Sequence, residues 1–346
     1  MRIVMTLCVK NEEDVLDAQL AFHLNAGVDF VIVTDTGSTD GTLEILERYA
    51  RDGVLQLHHD HSVPFDQAAL VTRMARLAAK ELEADWIINA DADEFWWPRG
   101  ESLRDVLGSV PPGYGIVRGI WRAFVPRPDD DDEPFYERMT YRLAPQAALN
   151  EPERPFRPHS KIAHRADPSV RVVTGNHDLE KTALAPLRGW YPIEVFHFPL
   201  RTSMQVSRKH EANRHAWRGR ELYRQHADDV LGPLVLGEDQ LAHGLEVGVL
   251  VEDTRLRDAL RVLADPATGR FALPRDGSSQ LALSRPSIVD DALFAVDASA
   301  LGEADDIRVR RQLDKLDLRL KAVDRLLLVR IERWLRRVLR RDSAVR

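Results

Sequence analysis

The most informative stretch of the chain reads WIINADADE and spans residues 86–94. Its first part is mostly apolar and rich in isoleucine, which predicts a buried strand over residues 86–90. Two carboxylates follow, Asp91 and Asp93, and side chains two residues apart on an extended segment point the same way. A carboxylate pair beyond a strand suits a hard divalent cation such as Mn²⁺ or Mg²⁺, which also binds phosphate oxygens. The alternative is an acidic turn that caps a following helix.

Upstream of this stretch, apolar strands alternate with helical patterns, and short turns rich in Gly, Ser and Asp separate them. The predicted strands are 2–9, 30–34, 54–57 and 86–90, and the predicted helices are 12–26, 42–51 and 66–84. This alternation predicts an α/β fold with a mostly parallel, Rossmann-like sheet flanked by helices. Ligands bind such sheets beyond the carboxyl ends of the strands. Five polar residues follow these ends: Lys10, Asn11, Asp35, Asp91 and Asp93.

A second motif, VIVTDTGSTDGT at residues 31–42, runs from a predicted strand through a turn into a helix. Asp35 falls at the carboxyl end of the strand, where its oxygens could accept hydrogen bonds from a base or a ribose. Ser38 or Asp40 is placed to cap the helix. The alternative is that the whole stretch serves the turn and the cap, which suits residues 38–42 better than Asp35.

Composition limits the class of protein. The 346 residues predict two domains, or one large domain with an extension. With 48 basic and 55 acidic residues, the net charge of −7 gives no support for a nucleic-acid partner. The single cysteine, Cys8, excludes a disulfide framework within the chain and falls in a predicted buried strand, where inert packing is expected. The sequence shows no secretory leader and no apolar run of transmembrane length, so we expect a cytoplasmic protein.

Other enzyme templates lack their essential residues. The chain has no glycine-rich dinucleotide or P-loop cradle and no nucleophile elbow. Residues 175–178 read GNHD, a motif of metal-dependent phosphoesterases, but the further histidine motifs that two metals require are missing. A phosphoesterase remains the enzymatic alternative, and a non-catalytic sugar-nucleotide-fold scaffold is the other.

Three motifs occur together in the order and spacing of a known family: KNEEDVLDAQL at 10–20, VTDTGSTDGT at 33–42 and NADADEFW at 89–96. The chain resembles the bacterial glycosyltransferase family 2 type with a GT-A fold, over about the first 100 residues and more weakly over 155–215. The resemblance implies a hexosyltransferase-type enzyme that moves a sugar, with inversion, from a nucleoside-diphosphate sugar to a hydroxyl acceptor. Synthesis of cell-surface polysaccharide or glycolipid is the expected setting, with a carbohydrate or lipid-linked acceptor.

The resemblance also implies roles for individual residues. The Asp91 and Asp93 carboxylates bracket the metal and the diphosphate, with His197 or His177 as a third metal ligand. One departure concerns Asp35-Thr36, because many members carry two acidic residues there. The donor-binding residues implied are Leu7, Val9, Lys10, Asn11, Asp35, Asp91 and Lys161.

The acceptor side is predicted from aromatic and acidic residues. Trp96 and Trp97 follow the metal motif, and flat indole rings are good sugar platforms, although core packing is the equal alternative. His177 is a further acceptor candidate. Direct displacement needs a base for the acceptor hydroxyl proton, and Asp178 is the candidate. Two glutamates stand behind it as alternatives: Glu94 and Glu194.

The C-terminal region differs in character from the rest. We predict a glycosyltransferase domain over 1–225 and a mainly helical extension over 226–346, ending in a basic amphipathic helix at about 304–341. Residues 316–346 carry a net charge of +6, and the rest of the chain −13. Such a helix suits an anionic membrane surface, which would place the protein peripherally at the inner face of the membrane. The alternatives are packing on the protein's own core and self-association as a coiled coil.

Overall fold

A computed structural model describes residues 1–127, 133–150, 158–180, 182–201, 205, 237–274, 281, 283 and 288–342. The chain divides into two units, Met1–Ala298 and Ser299–Arg346. The first unit contains the sheet and every residue of the site, so the fold is built up from it.

The first unit is organised around an eight-stranded sheet with a small two-stranded sheet beside it. The large sheet has the order β3-β2-β1-β4-β8-β6-β9-β5, and the small one pairs β10 with β7. The strands are β1 Ile3–Val9, β2 Phe30–Asp35, β3 Leu55–His59, β4 Trp86–Ala90, β5 Glu94–Pro98, β6 Ile116–Ala123, β7 Tyr141–Leu143, β8 Ser160–Arg165, β9 Ile193–His197 and β10 Leu250–Glu252. The helices are α1 Glu13–Asn25, α2 Thr42–Arg51, α3 Gln67–Glu81, α4 Leu103–Gly108, α5 Phe135–Arg138, α6 Glu238–Glu246, α7 Arg255–Leu263 and α8 Ile288–Asp342.

The sheet has a parallel half and a mixed half. Strands β1 to β4 pair in parallel, as their apolar, β-branched sequences require when helices cover both faces. Strands β8 and β5 run antiparallel to their neighbours, whereas β6 and β9 pair in parallel. Four of the seven pairings are therefore parallel, and the predicted α/β class with a C-terminal helix is confirmed. The predicted strand and helix bounds in residues 1–90 agree with the structure to within three residues.

The strand directions gather distant residues at one edge. Since β6 and β9 run in the direction of β4, their carboxyl ends lie at the carboxyl end of β4. Since β8 and β5 run the opposite way, their amino ends lie there too. This edge, which also carries the loops after β1 and β2, is where ligands bind in α/β sheets.

The hydrophobic core forms two layers, one on each face of the sheet. One layer packs α1, α2 and α7 against the sheet and includes Phe22, Trp86, Trp96 and Trp97. The other packs α3 against the sheet through Val71, Met74, Ala75 and Ala78, and the partly buried Cys8 packs against it. The sheet is thus covered on both sides, and ligand access is left to its edge.

A buried ionic cluster ties later segments to the sheet. Glu194 of β9 is 1 % exposed; its Oε1 accepts from Arg99 and Arg255, and its Oε2 accepts from Arg122. Arg122 also donates to Asp297, which lies in the first part of α8. Arginine pairing holds the pKa of Glu194 well below its usual range in spite of burial. Glu194 therefore anchors the mixed half and does not reach a ligand, which removes it as an alternative base.

The predicted domain boundary at 225/226 lies outside the described residues. Within the first unit, β10 pairs with β7, and α7 packs on α1, so residues 250–263 belong to the body of the sheet domain. The predicted long helix at 304–341 falls within α8. None of the helices in the described part of the chain combines the length and apolarity that a membrane crossing needs. The membrane and self-association roles of α8 stay predictions.

Candidate active site

Two loops at the edge of the parallel half hold each other in place. These motif loops are residues 10–14 after β1 and residues 35–42 after β2. Asn11 N donates to Ser38 Oγ at 3.0 Å, and Thr39 N donates to Asn11 Oδ1 at 2.7 Å. Gly41 N donates to Glu13 Oε2 at 2.7 Å. Most polar side chains of the two motifs therefore make hydrogen bonds that hold the loops together, and Lys10 is exposed.

Asp35 is turned into its own loop. It is fully buried, and its two oxygens accept from Gly37 N at 3.0 Å and from Ser38 Oγ at 2.5 Å. Ser38 N donates to the same carboxylate at 3.2 Å. The predicted contact of Asp35 with a base or ribose is corrected on this point, because an enclosed carboxylate that already accepts three bonds holds a turn. The predicted cap by Ser38 or Asp40 is also corrected, because the N-cap of α2 is Gly41 with no side-chain cap bond, and Asp40 Oδ1 accepts from Thr42 N at 3.1 Å within the turn before the helix.

The backbone of β1 delimits the same edge. The side chains of Leu7 and Val9 lie in the hydrophobic core with 0 % and 2 % exposure. Their predicted donor-binding role is therefore limited to backbone groups, because neither side chain faces the edge.

The two aspartates of the central motif have different partners. Asp91 accepts three hydrogen bonds from side chains that converge on it: Gln67 Nε2 at 3.0 Å, Asn176 Nδ2 at 3.1 Å and Lys161 Nζ at 2.7 Å. Its side chain is 28 % exposed, so part of it still faces solvent. The following residues form β5 and not a helix, so the helix-capping alternative is wrong. Three side-chain donors therefore hold the Asp91 carboxylate in place, and one side of it remains exposed to solvent.

Lys161 links Asp91 to Glu94. The ammonium group is 3 % exposed and lies 2.7 Å from Asp91 Oδ2 and 2.7 Å from Glu94 Oε1. The two carboxylates raise the pKa of Lys161, which keeps it charged. Burial, reinforced by Asp91, raises the pKa of Glu94 to about 8 against the opposing effect of Lys161. Glu94 is 0 % exposed, so its predicted role as a base is corrected: it anchors Lys161 below the surface.

Asp93 faces a histidine and an arginine. Its Oδ2 lies 3.6 Å from His197 Nε2 and 3.9 Å from Arg201 Nη1. Arg201 is 1 % exposed and donates to both oxygens of Asp14, at 2.8 and 3.0 Å, and to Glu12. Burial, with Asp93 and Asp14 nearby, raises the pKa of Glu12 to about 7. We call Asp91, Asp93 and Glu94, with Lys161, His197 and Arg201, the acidic junction.

The Asp93–His197 pair fits a divalent cation as a partial ligand set. A carboxylate oxygen and an imidazole nitrogen suit Mn²⁺, and Mg²⁺ accepts one or two carboxylates with waters and phosphate oxygens completing the shell. Three carboxylates, from Glu12, Asp14 and Asp93, surround one guanidinium, so the local charge favours an added cation. Within the described ranges, no group of three or more His, Cys, Asp or Glu side chains is assembled for a metal. The chain thus offers two ligands, and a substrate would supply others.

The alternative metal ligand, His177, lies elsewhere. Its Nδ1 is 2.8 Å from the Ser160 carbonyl oxygen, and its ring is exposed, 6.5 Å from that of His159. The structure therefore favours His197 over His177 beside Asp93. As an acceptor ligand, His177 stays a prediction.

Trp96 and Trp97 do not form an acceptor platform. Both are 0 % exposed, and Trp97 stacks between Phe22 at 5.7 Å and Phe196 at 5.4 Å. The sequence prediction is wrong here, because β5 pairs with β9 at the edge of the sheet, packs against α1 and is buried at all five of its residues. The core-packing alternative is correct for both rings.

Asp178, the candidate base, is part-exposed beside a buried arginine. Arg118 Nη2 lies 3.3 Å from Asp178 Oδ2, and the aspartate side chain is 39 % exposed. In the same GNHD stretch, Asn176 is 1 % exposed and donates to Asp91, with Gly175 in the left-handed region before it. The motif is thus joined to the acidic junction through its asparagine. Asp178 as base stays a prediction.

Four polar residues at this edge were not singled out from the sequence: Glu12, Gln67, Asn176 and Arg201. Gln67 is the first residue of α3 after the N-cap Asp66, a position that directs its side chain to the edge of the sheet. Asn176 has a φ of 60°, a left-handed conformation that asparagine tolerates. The Gly175-Asn176 pair in the sequence is a usable signal for such a turn. Arg201 carries no local signal, since its carboxylate partners Glu12, Asp14 and Asp93 lie more than 100 residues earlier.

The comparisons with known proteins bear on the same part of the chain. The family model described as Glycosyltransferase family 92 matches residues 5–116, which include both motif loops and the aspartate pair. The resemblance to a glycosyltransferase is confirmed, with family 92 as the family that matches. No curated protein matches the chain.

Solved structures that resemble the chain match only part of it. TarS of S. aureus, residues 1–349, has 17 % identity over 48 % of this chain and 47 % of its own, with a TM-score of 0.29. The same protein in complex with UDP-GlcNAc has 18 % identity over 48 % and 46 %, with a TM-score of 0.29. Glucosyl-3-phosphoglycerate synthase of Mycobacterium tuberculosis, in complex with Mn²⁺ and UDP-glucose, has 20 % identity over 35 % and 44 %, with a TM-score of 0.27. The chain spans less than half the length of each.

The fold, the edge that carries the acidic residues and the family match point in the same direction. Residues 5–116 of the α/β domain match a glycosyltransferase family model. The activity of the whole protein, with its donor, acceptor, metal and stereochemistry, is a matter of proposal.

Proposed function

We propose that the protein transfers a hexose from a nucleoside-diphosphate sugar to a hydroxyl acceptor, with Mn²⁺ or Mg²⁺ held by Asp93 and His197. The observation that carries this proposal is the approach of Asp93 Oδ2 to His197 Nε2, 3.6 Å apart at the carboxyl edge of the sheet. A cation bound there would neutralise negative charge on the departing diphosphate. Inversion and the hexose follow from the resemblance.

The remaining groups of the acidic junction have positioning roles in this proposal. Lys161, Gln67 and Asn176 fix Asp91, whose open side faces the donor. Arg201 holds Asp14 and Glu12 on one side and approaches Asp93 on the other. The backbone of the motif loops borders the nucleotide. Because these groups are locked by hydrogen bonds before substrate arrives, little reorganisation is needed on binding.

The proton of the acceptor hydroxyl needs a base, and Asp178 is the proposed one. Its carboxylate is open to solvent, and Arg118 holds it beside the Asn176 that contacts Asp91. The acceptor is proposed to be a carbohydrate or a lipid-linked sugar. Replacement of Asp178 by Asn should lower the rate with acceptor at least about 100-fold, the usual effect of general base catalysis, with the affinity for nucleoside diphosphate retained.

The metal assignment is tested with the full chain. A thermal-shift screen of UDP-, GDP- and dTDP-sugars, each with Mn²⁺, Mg²⁺ or EDTA, identifies the donor. Donor turnover is then measured for Asp93→Asn, His197→Gln and the matched control Asp52→Asn, an exposed aspartate at the end of α2. We expect about a 10- to 100-fold loss of cation affinity in the first two variants, and wild-type behaviour in the control.

The outcomes separate the alternatives. Unchanged metal-dependent turnover in Asp93→Asn and His197→Gln would remove both from the metal site. Cleavage of a simple phosphomonoester in place of a sugar nucleotide would support the phosphoesterase alternative. Donor binding without any turnover, in the presence of a range of acceptors, would support the scaffold.

We also propose that the basic C-terminal segment contacts an anionic membrane surface. The support is its sequence: the net charge of +6 over residues 316–346 alternates with Leu, Ile and Trp at helical spacing. Co-sedimentation with phosphatidylglycerol and phosphatidylcholine vesicles tests this in the full chain, against a variant with Arg336, Arg337, Arg340 and Arg341 changed to Gln. Equal binding by both proteins to both vesicles would contradict an electrostatic contact, and dimerisation in solution would favour self-association.

A further inference from the structure

One partly exposed tryptophan lies against the acidic junction. Of the tryptophans whose side chains the structure describes, Trp86, Trp96 and Trp97 are 0 % exposed. Trp121 is partly exposed, with its indole Nε1 buried, and Trp190 is 41 % exposed. Trp190 precedes β9, at the end opposite His197, whereas Trp121 lies near the carboxyl end of β6, at the edge that carries the site.

The ring of Trp121 lies beside His197, the neighbour of Asp93, and near Lys161, the partner of Asp91. Its centroid is 4.1 Å from that of His197, the residue beside Asp93, with 32° between the planes. Lys161 Nζ, which contacts Asp91, lies 5.9 Å from the ring centroid. His159 approaches edge-on at 5.6 Å. The indole therefore adjoins both halves of the proposed cation and diphosphate site.

The strand pairing fixes the ring in this position. Trp121 pairs with Val195 of β9, and its N donates to the His159 carbonyl oxygen at 2.9 Å. Two residues earlier, a Cβ at Gly119 would lie 2.7 Å from Val195 Cγ2, so glycine allows β6 and β9 to approach closely. The ring is presented by the centre of the sheet and not by a mobile loop, which suits a preorganised contact.

We propose that Trp121 is the stacking surface for a pyranose ring at this site. One face of a pyranose is a patch of C–H groups that packs on a flat indole, while its hydroxyl groups point outward to polar neighbours. His159, His197 and Lys161 supply such neighbours around Trp121. The proposal rests on the proposed sugar transfer, and the same chemistry fits the sugar of the donor or that of the acceptor.

The test uses Trp121→Leu, which removes the flat ring, and Trp121→Phe, which keeps a smaller one. The matched control is Trp190→Leu, the same change at a partly exposed tryptophan outside the site. Saturation-transfer NMR measures the binding of methyl glycosides of glucose, galactose, mannose and N-acetylglucosamine to each protein. Titrations of the free nucleoside diphosphate and of its sugar conjugate, with acceptor KM where turnover is found, identify the source of the ring.

We expect Trp121→Leu to weaken pyranoside binding about five- to tenfold and Trp121→Phe to weaken it less, as the loss of one aromatic contact predicts. If the donor sugar stacks on Trp121, Trp121→Leu loses affinity for the sugar nucleotide but not for the free diphosphate. If the acceptor sugar stacks on Trp121, the KM for the acceptor rises, while the affinities for the sugar nucleotide and for the free diphosphate stay within twofold. Either pattern supports the proposal.

Equal behaviour of Trp121→Leu and Trp190→Leu in all three measurements would overturn it. If Trp121→Leu does not fold, Trp121→Phe carries the same comparison, and wild-type affinity in every assay would then overturn the proposal. Absence of turnover with any donor is a failure of the proposed function alone, because pyranoside binding by wild type and variants is still measured without it.

Discussion

The motif loops and the acidic junction share one edge of the sheet but are built in opposite ways. In the motif loops, Asp35, Asn11 and Glu13 bond to loop backbone or to Ser38, and most of these bonds join residues within 30 positions of each other. In the junction, Asp91 and Asp93 are met by Lys161, His197 and Arg201, which arrive 70 to 110 positions later. Residues in a recognisable motif can therefore serve to hold a loop, whereas the partners of Asp91 and Asp93 come from segments far along the chain.

We therefore expect substitutions in the motif loops and in the acidic junction to differ in their effects on stability. Loss of a motif-loop side chain removes hydrogen bonds within one turn. Loss of a junction side chain removes charge-assisted hydrogen bonds between segments that are far apart in the chain. Both effects are measurable as changes in the free energy of unfolding and in ligand affinity.

The largest effect is expected at Lys161. Changing it to Met removes two charge-assisted contacts, to Asp91 Oδ2 and to Glu94 Oε1, each worth about 1.5–3 kcal/mol, so we expect the free energy of unfolding to fall by about 3–5 kcal/mol. Urea denaturation checks this, with Lys80→Met, an exposed lysine on α3, as control. A fall below about 1 kcal/mol would show that the junction is no more sensitive than a surface pair.

Acid should weaken the mixed half through His164, which lies on the same strand as Lys161. Burial lowers the pKa of this fully buried histidine to about 4, so protons bind the unfolded chain first as the pH falls through about 6.5. The effect of His164 on the free energy of unfolding is therefore constant above pH 6.5. Between pH 6.5 and pH 4 this residue lowers the free energy of unfolding by about 3 kcal/mol. Denaturation of wild type and His164→Gln at pH 7, 5.5 and 4 measures the difference. Parallel pH curves for the two proteins would contradict it.

A smaller change is expected in the motif loops. Replacing Ser38 by Ala removes one bond to Asp35 and one from Asn11, at a cost of about 1–2 kcal/mol. The affinity for Mn²⁺ should stay within twofold of wild type, because the Asp93–His197 pair is untouched. Isothermal titration and urea denaturation of the same preparation give both values. A large loss of cation affinity with normal stability would reverse the comparison.

The part of the fold that the sequence predicts is the part in which contacts are local. The alternation of strands and helices up to Ala90 and the edge position of Lys10, Asp35, Asp91 and Asp93 follow from periodicity and turn chemistry. The strands, helices and edge positions could be predicted because each is encoded within about 15 residues. The resemblance offered His197 and His177 as alternatives, and only the fold shows that His197 lies beside Asp93.

The remainder depends on strand order, which no local pattern encodes. The insertion of β9 beside β5 encloses Trp96 and Trp97, although they follow a ligand motif. The same topology presents Trp121 and pairs Lys161 with Glu94. The prediction that Asp35 contacts a ligand is wrong for a different reason. Aspartates that bind ligands and aspartates that form turns both occur at the end of a strand, and only the hydrogen bonds of Asp35 to Gly37 and Ser38 show that it forms a turn.

Cys8 gives the protein a practical property. Burial, with three aspartates nearby, raises the pKa of this only thiol to about 12, so at neutral pH the thiolate fraction is on the order of one in 10⁵. A cysteine introduced at an exposed position, for instance at Val63 in the loop after β3, would then react with a maleimide probe far faster than Cys8. The natural sequence therefore supplies a weakly reactive background for attaching one fluorophore or spin label, so that movements near the site could be followed without removing the native cysteine.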